Sequence, residues 1–156
     1  MKIQLFEKQC RNEEDLLTLA AQLARTIKPG TVIFLLGPLG AGKTTFTRGF
    51  LRGLGYEGKV KSPTYTLVET YDLPEHTVCH FDFYRLKQAK ELEFIGIQDY
   101  FSPATICLME WADKGDGFLP PPDLTCSIAF AGEGRAVLLK ARTEKGEAIL
   151  TKLNQP

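Results

Sequence analysis

The chain has 156 residues, of which 44% are hydrophobic and 24% are charged, a composition typical of one globular domain spanning residues 1–156 rather than of a disordered or fibrous protein. Its 19 Lys and Arg residues balance 19 Asp and Glu residues, so we do not expect the basic surface of a protein that binds nucleic acid on its own. No apolar run approaches the roughly 18 residues that span a bilayer, and the charged N-terminal segment does not resemble a signal peptide. These features predict a cytoplasmic protein with no membrane contact.

The first half of the chain predicts a helix, a buried strand and a second helix in succession. Apolar residues at helical spacing indicate a helix from Glu13 to about Ile27, with Asn12 as its N-cap. The nearly unbroken apolar run from Thr31 to Leu36 is typical of a strand covered on both faces of a parallel sheet. A helix from Lys43 to about Leu54 follows. A glycine-rich loop therefore connects a buried strand to a helix.

The second half predicts further strands separated by turns and short helices. Strand-like residues 65–71 and 77–84 flank the segment DLPEH, which is typical of a hairpin turn. The remaining predicted elements are a helix over 89–95, strands over 105–109, 124–130 and 136–141, and a helix over 147–153. Together they predict an α/β sandwich with a mixed, mostly parallel sheet, flanking helices and an antiparallel hairpin.

The glycine-rich loop carries a phosphate-binding motif. Residues 37–44 read GPLGAGKT and match the pattern GxxxxGK[ST] at every fixed position. The motif predicts that the α/β sandwich is of the P-loop NTPase type. Glycines let consecutive backbone N–H groups point at phosphate oxygens, and the helix that follows adds the positive end of its dipole. Lys43 is expected to bridge the β- and γ-phosphates of ATP, and the Thr44 hydroxyl to bind Mg²⁺. We therefore predict that ATP or ADP, with Mg²⁺, binds at Gly37, Leu39, Gly40, Ala41, Gly42, Lys43, Thr44 and Thr45.

Two acidic residues at strand ends are candidates for the magnesium shell and for catalysis beside Lys43. Glu110 follows four apolar residues, the pattern of an acidic strand tip near a phosphate loop. Asp82 lies in the strand-like segment HFDFYR. An isolated acid of this kind is more often a surface carboxylate, but two beside one phosphate loop indicate a site. We assign Glu110 to magnesium and Asp82 to metal organisation or water activation, and the sequence alone leaves the two roles interchangeable.

The segment SPTYT, residues 62–66, lies between the phosphate-loop helix and the next strand, where other P-loop proteins sense the γ-phosphate. An ordinary Ser-Pro turn explains these residues equally well. Trp111 follows Glu110 directly and is a candidate for covering the site or contacting a partner, with core packing as the alternative. His80 shares a strand face with Asp82, although a single strand histidine is more often a core residue. The predicted switch or partner residues are Ser62, Pro63, Thr64, Tyr65 and Trp111.

Five blocks of sequence resemble the bacterial TsaE proteins, also called YjeE, which take part in forming threonylcarbamoyladenosine next to the tRNA anticodon. The blocks are GPLGAGKTT, KSPTYTLVETY, HFDFYRL, ELEFIGIQDYF and CLMEWADKG, in this order, within residues 31–117. The resemblance implies an ATPase, weak alone and dependent on partners. It also implies contact with the TsaD and TsaB pair, with TsaC supplying the activated intermediate, so that tRNA is met only indirectly.

The same resemblance implies roles for individual residues. The family's functional positions correspond to Lys43, Thr44, Ser62, Thr64, Asp82, Glu110 and Trp111. The family's adenine contacts come from less distinctive terminal segments, for which Arg11 and Arg135 are the candidates. Under this hypothesis, ATP orders residues 62–66 and the Glu110–Trp111 region into a partner-binding surface, and hydrolysis resets the complex.

Two other functions are compatible with the phosphate-binding motif. The first is a small-molecule kinase, although the arginines are scattered and form no arginine-rich lid. The second is a GTPase-like switch or a nucleotide-gated assembly module without meaningful hydrolysis. The sequence contains no NKxD run that would select guanine. Phosphoryl transfer to a metabolite would indicate the kinase, and very slow hydrolysis that partners do not change would indicate the assembly module.

Overall fold

Seven strands and four helices form the computed structural model, which describes residues 2–155. The strands are β1 (Leu5–Cys10), β2 (Val32–Leu36), β3 (Val68–Asp72), β4 (Thr77–Asp82), β5 (Thr105–Glu110), β6 (Leu124–Ala131) and β7 (Gly134–Ala141). The helices are α1 (Glu13–Ala24), α2 (Lys43–Gly53), α3 (Glu91–Phe94) and α4 (Glu144–Leu153). No helix between residues 2 and 155 combines the length and the apolar character needed to cross a membrane.

All seven strands belong to one mixed sheet, in the order β1-β7-β6-β2-β5-β4-β3. The central strands β6, β2, β5 and β4 are parallel, whereas β3 and β7 pair antiparallel with their neighbours. The parallel centre places the ends of β2, β4 and β5 at one edge, where loops can form a binding crevice. The predicted fold class, a mixed α/β sandwich with an antiparallel hairpin, is confirmed.

Apolar side chains cover both faces of the sheet. On one face, β2, β5 and β6 pack against α1, α2 and α4. On the other face, Phe81 and Met109 pack against Leu92 of α3 and against Ile97 and Ala112, which lie in two short 3₁₀ turns. Burial on both faces explains why β2 and β5 read as nearly continuous apolar runs.

The N-terminal strand β1 was not predicted from the sequence. It pairs antiparallel with β7 at the edge of the sheet, and only its last residue, Cys10, is buried. An edge strand exposed to solvent on most positions lacks the apolar alternation by which strands are recognised. Its place in the sheet is set by backbone pairing with β7 and by Cys10 and the partly buried Phe6, which pack on the core.

Residues 65–67 were predicted as strand and form a turn instead. The Leu67 N–H donates to the Pro63 carbonyl at 2.7 Å, and Leu67 adopts a φ of 72°. This left-handed conformation is incompatible with a strand, so β3 begins only at Val68. The turn brings residues 62–64 towards the end of β4.

Two helix boundaries also differ from the prediction. Helix α1 ends at Ala24 rather than near Ile27, because the last residues continue as tighter hydrogen-bonded turns. Helix α4 begins at Glu144, three residues before the predicted start, because the Thr143 side chain accepts a hydrogen bond from the Gly146 N–H and caps it.

Helix α2, which follows the phosphate loop, lies unusually close to α1. A Cβ atom added to Gly49 would lie 2.5 Å from the Leu17 carbonyl oxygen, and one added to Gly53 would lie 2.5 Å from the Ala21 carbonyl oxygen. Two glycines one turn apart therefore let the backbones of the two helices touch. The contact holds α2, and with it the phosphate loop, against the rest of the fold.

Gly49→Ala is expected to lower the free energy of unfolding by about 1–3 kcal/mol, the usual cost of overpacking a core. Alanine gains up to about 1 kcal/mol of helix propensity over glycine, but here its Cβ would contact a backbone oxygen, which cannot turn aside as a side chain can. Urea unfolding of the nucleotide-free chain measures the difference. Unchanged or increased stability would mean that α1 and α2 separate at this crossing without cost.

The four cysteines are free thiols and all are buried. Burial raises the pKa of Cys107 to about 12 and also raises the pKa of Cys126. Because the thiolate is the nucleophilic and metal-binding form, these thiols behave as small apolar core residues.

Candidate functional site

The phosphate loop, residues 37–42, adopts a conformation that depends on its glycines. Gly37, Gly40 and Gly42 have positive φ values of 149°, 79° and 116°. A Cβ atom on Gly37 would also lie 2.4 Å from the Ile128 carbonyl oxygen. The loop ends at Gly42, the N-cap of α2. The unpaired N–H groups and the positive dipole end of this 11-residue helix therefore face the loop.

Lys43, the first residue of α2, is a buried cation with only 6% of its surface exposed. Its Nζ atom donates a hydrogen bond to the Gly37 carbonyl at 2.7 Å. The same Nζ lies 3.9 Å from Glu110 Oε1 and 4.3 Å from the centre of the Trp111 ring. The ammonium group is thus held between the loop, a carboxylate and an aromatic face, where a desolvated charge acts strongly on a bound anion.

The two predicted acids lie side by side at the ends of adjacent parallel strands. Asp82 on β4 and Glu110 on β5 are direct register partners, and both are buried, with 6% and 5% of their surfaces exposed. Asp82 accepts hydrogen bonds from the Thr64 hydroxyl at 3.1 Å and from the Tyr84 N–H at 2.9 Å. Glu110 Oε2 lies 2.6 Å from His80 Nε2.

A cleft of about 340 Å³ brings most of the predicted site residues together. It is lined by Leu39, Gly40, Gly42, Lys43, Thr44, Thr45, Ser62, Thr64, Asp82, Glu110 and Trp111. The cleft thus combines the Lys43 ammonium group and the N-terminus of α2 with two carboxylates and several hydroxyl groups. This set of groups suits a polyphosphate with a hard divalent cation.

The segment 62–65 is connected to the site through side-chain hydrogen bonds. The Ser62 and Thr64 hydroxyls lie 2.7 Å apart, and Thr64 in turn contacts Asp82. Pro63 is buried, whereas Tyr65 is 83% exposed with its ring 4.2 Å from the Arg85 guanidinium carbon. One end of the segment therefore reaches the cleft while Tyr65 faces solvent.

Trp111 is held in an uncommon backbone conformation at the mouth of the cleft. It has a φ of 57° and begins a short 3₁₀ turn over Ala112–Gly115. Its ring lies 5.1 Å from the Tyr84 ring and under the Lys43 ammonium group. A non-glycine residue in this region is strained, and here the strain places an aromatic face beside the phosphate loop.

The two arginines predicted to contact adenine lie in different places. Arg135 on β7 donates to the Ala41 carbonyl at 2.6 Å and to the Gly40 carbonyl at 3.3 Å. It lines a second cavity of about 270 Å³ that shares Gly40, Gly42 and Thr45 with the cleft. Arg11 is instead paired with Asp15 at 3.0 Å, and 85% of its side chain is exposed. The fold brings Arg135 to the phosphate loop but not Arg11.

His80 carries the weakest sequence signal of the residues at the site. Its only signal was its position two residues before Asp82 on the same strand face. The side chain is fully buried and pairs with Glu110, which lies on a different strand. That contact depends on the register of β4 against β5.

Comparison with known proteins identifies similar sequences and a similar structure. Residues 10–137 match the family described as threonylcarbamoyl adenosine biosynthesis protein TsaE. A Haemophilus influenzae protein named tRNA threonylcarbamoyladenosine biosynthesis protein TsaE is 50% identical over 120 residues, which cover 77% of this chain and 76% of that one. The Bacillus subtilis protein of the same name is 37% identical over 145 residues, covering 92% and 90%. The crystal structure of Bacillus subtilis YdiB superposes with a TM-score of 0.83 at 32% identity, covering 98% of this chain and 96% of the other.

Proposed function

This chain belongs to the TsaE family, and we propose that it is a Mg²⁺-dependent ATPase acting in the formation of threonylcarbamoyladenosine in tRNA. The observation that carries the proposal is the cleft in which Lys43 and Thr44 meet Asp82 and Glu110. A phosphate loop alone binds nucleotide. Two buried strand-end carboxylates beside it add the groups that hold a metal and orient water.

The phosphate loop supplies binding and charge stabilisation. Backbone N–H groups at the start of α2 bind the phosphate oxygens, and Lys43 replaces its hydrogen bond to the Gly37 carbonyl with contacts to the β- and γ-phosphates. Because Lys43 is almost fully buried, its charge is little screened by water. The loop therefore stabilises the negative charge that develops on the transferred phosphoryl group.

The residues of the cleft fit a magnesium ion. The Thr44 hydroxyl and the Asp82 and Glu110 carboxylates are hard oxygen donors on one cleft, and Mg²⁺ is usually held by one or two carboxylates together with substrate phosphates. When bound, the ion would neutralise phosphate charge and polarise the γ-phosphate. Thr44 is proposed to bind it directly and Glu110 to hold its shell.

Asp82 is proposed to organise the metal or to activate the attacking water. Its two carboxylate oxygens accept from Thr64 and from the Tyr84 N–H, so its orientation is fixed before substrate binds. The bond to Thr64 also connects the carboxylate to residues 62–65. A change at the γ-phosphate would therefore be passed from Asp82 to a segment that ends in the exposed Tyr65.

The second cavity beside Arg135 is proposed to take the nucleoside. Arg135→Ala is expected to weaken ATP binding by roughly tenfold, because the hydrogen bonds that hold the Gly40 and Ala41 carbonyls are charge-assisted. Arg11→Ala serves as the matched control and is expected to change affinity by less than about twofold, since exposed ion pairs contribute little. Titration with a fluorescent ATP analogue measures both. Equal losses in the two variants would place Arg11 in the nucleotide site as well.

The proposed partners are the TsaD and TsaB pair, with TsaC acting earlier by supplying the activated intermediate. Leu39 is 64% exposed and Tyr65 is 83% exposed. Leu39 lines the cleft, and Tyr65 directly follows Thr64, which also lines it. Large exposed apolar residues beside a nucleotide site suit a surface that partners cover. ATP turnover would then control association with the pair or reset it between cycles, and tRNA would be met through the pair.

Steady-state ATP hydrolysis by the purified chain, alone and with the TsaD and TsaB pair, tests the proposal, with Lys43→Ala as the blank. If the pair stimulates hydrolysis by the unaltered chain, and Lys43→Ala shows no such hydrolysis, the result would support an ATPase whose turnover resets the complex. Negligible hydrolysis in both conditions, with nucleotide still bound, would favour a nucleotide-gated assembly module. Transfer of the γ-phosphate to a metabolite instead of water would favour a small-molecule kinase.

A further inference from the structure

The buried imidazole of His80 contacts one of the two strand-end carboxylates. His80 is fully buried within β4, and its Nε2 atom lies 2.6 Å from Glu110 Oε2. A carboxylate can only accept hydrogen bonds, so the imidazole donates from Nε2. A hydrogen bond to a buried carboxylate at this distance is among the stronger ones in proteins.

The second imidazole nitrogen shows what His80 contributes at this position. Its Nδ1 atom is buried and has no hydrogen-bond partner among residues 2–155. The neighbours on the same sheet face include the apolar Val78, Ile106 and Leu108, against which an apolar side chain would pack without an unpaired polar atom. The bond to Glu110, and not core packing, therefore explains why a histidine occupies this position.

That bond decides which way the Glu110 carboxylate faces. His80 holds Oε2, and Oε1 is then the oxygen near Lys43, at 3.9 Å from Nζ. A glutamate side chain has several rotatable bonds and loses considerable rotamer freedom when fixed. Without His80, Glu110 would be free to turn Oε1 away from the cleft or to form a closer ion pair with Lys43.

We propose that His80 is a positioning residue, which holds Glu110 so that Oε1 is presented to the cleft while Lys43 stays available for phosphate. The inference deepens the proposed function and rests on it, because the orientation of Glu110 matters through the magnesium shell. His80 is fully buried and does not line the cleft, so it acts through Glu110. Partners that orient a metal-site carboxylate typically contribute 10–100-fold in metal affinity or activity.

Three variants test the proposal. His80→Leu removes the donor at similar volume, His80→Gln supplies an amide N–H able to reach Glu110, and Val78→Ala perturbs the same strand face without touching the site. For His80→Leu we expect kcat to fall by roughly 10–100-fold, with KM for ATP changed by less than about threefold because the phosphate loop is intact. His80→Gln should recover most of the loss, and Val78→Ala should keep the kcat of the unaltered chain. If His80→Leu does not fold, His80→Asn replaces it with the same expected losses, because its shorter side chain does not reach Glu110.

A second measurement does not require turnover. Binding of a fluorescent ATP analogue is followed as Mg²⁺ is varied, and His80→Leu should need roughly 10–100-fold more Mg²⁺ for half-maximal effect. If the variant keeps both the original kcat and the original Mg²⁺ dependence, the inference is overturned and the ATPase proposal stands. If the unaltered chain hydrolyses no ATP either alone or with the TsaD and TsaB pair, the ATPase proposal fails, and the Mg²⁺ titration alone decides on His80. Equal losses in Val78→Ala would also overturn the inference, since they would come from a disturbed core.

Discussion

Lys43→Ala is expected to weaken ATP binding by roughly 10–100-fold, because a buried charge-assisted hydrogen bond to phosphate is lost. Hydrolysis should fall further, by at least about 10²-fold, since the same charge stabilises the transition state more than the bound substrate. The variant also removes the cation 3.9 Å from Glu110 Oε1. Calorimetric titration with ATP and a steady-state assay measure the two losses separately.

The fluorescence of the protein reports on the same substitution without nucleotide. Trp111 is the only tryptophan, and the Lys43 ammonium group lies 4.3 Å from its ring centre. We therefore expect the emission of the free chain to change in Lys43→Ala. Lys90→Ala, at an exposed lysine outside the cleft, is the matched control and should change neither emission nor ATP affinity. Unaltered ATP affinity in Lys43→Ala would remove the phosphate loop from the proposed function.

Asp82→Ala is expected to lower the rate of ATP hydrolysis by roughly 10²–10⁴-fold, the usual loss of an acid–base group. ATP affinity should change by less than about threefold, because the loop and Lys43 are untouched. The variant removes the acceptor of Thr64 and of the Tyr84 N–H. Single-turnover hydrolysis, which is independent of product release, is the measurement.

Two further variants separate the charge of Asp82 from its structural bonds. Asp82→Asn keeps an acceptor oxygen but loses the carboxylate, so it should be nearly as slow as Asp82→Ala if the charge is what matters. Thr64→Val leaves the Asp82 carboxylate in place but removes the hydrogen bond that Thr64 donates to it, together with the contact between the Thr64 and Ser62 hydroxyls, and should cost about tenfold or less. If Asp82→Asn hydrolyses ATP about as fast as the unaltered chain, Asp82 has no catalytic role and serves only to support residues 62–65.

Local patterns in the sequence were sufficient for most of the fold. The strand before the loop and the helix after it follow from a buried apolar run and from helical spacing, and both occur at β2 and α2. The hairpin between β3 and β4 was likewise predicted. The pattern failed where packing or hydrogen bonds outweigh it: at the exposed edge strand β1 and at the turn that ends at Leu67.

The residue types of the candidate site were also present in the sequence, but their mutual arrangement was not. The spacing of Gly37, Gly42, Lys43 and Thr44 is local, and it predicts a phosphate cradle in any strand–loop–helix unit. That Asp82 and Glu110 are neighbours depends on β4 and β5 being paired in one register. A shift of one residue would turn either side chain to the opposite face.

By itself, the sequence determined the α/β fold class and a loop shaped for phosphate, because glycine conformation and apolar periodicity act over a few neighbouring residues. Only the tertiary structure decided that His80 pairs with Glu110, that Arg135 and not Arg11 reaches the phosphate loop, and that Lys43 lies over Trp111. The physical reason is that these contacts join residues far apart in the chain. Their distances follow from strand register and helix packing, which arise when the whole core is buried.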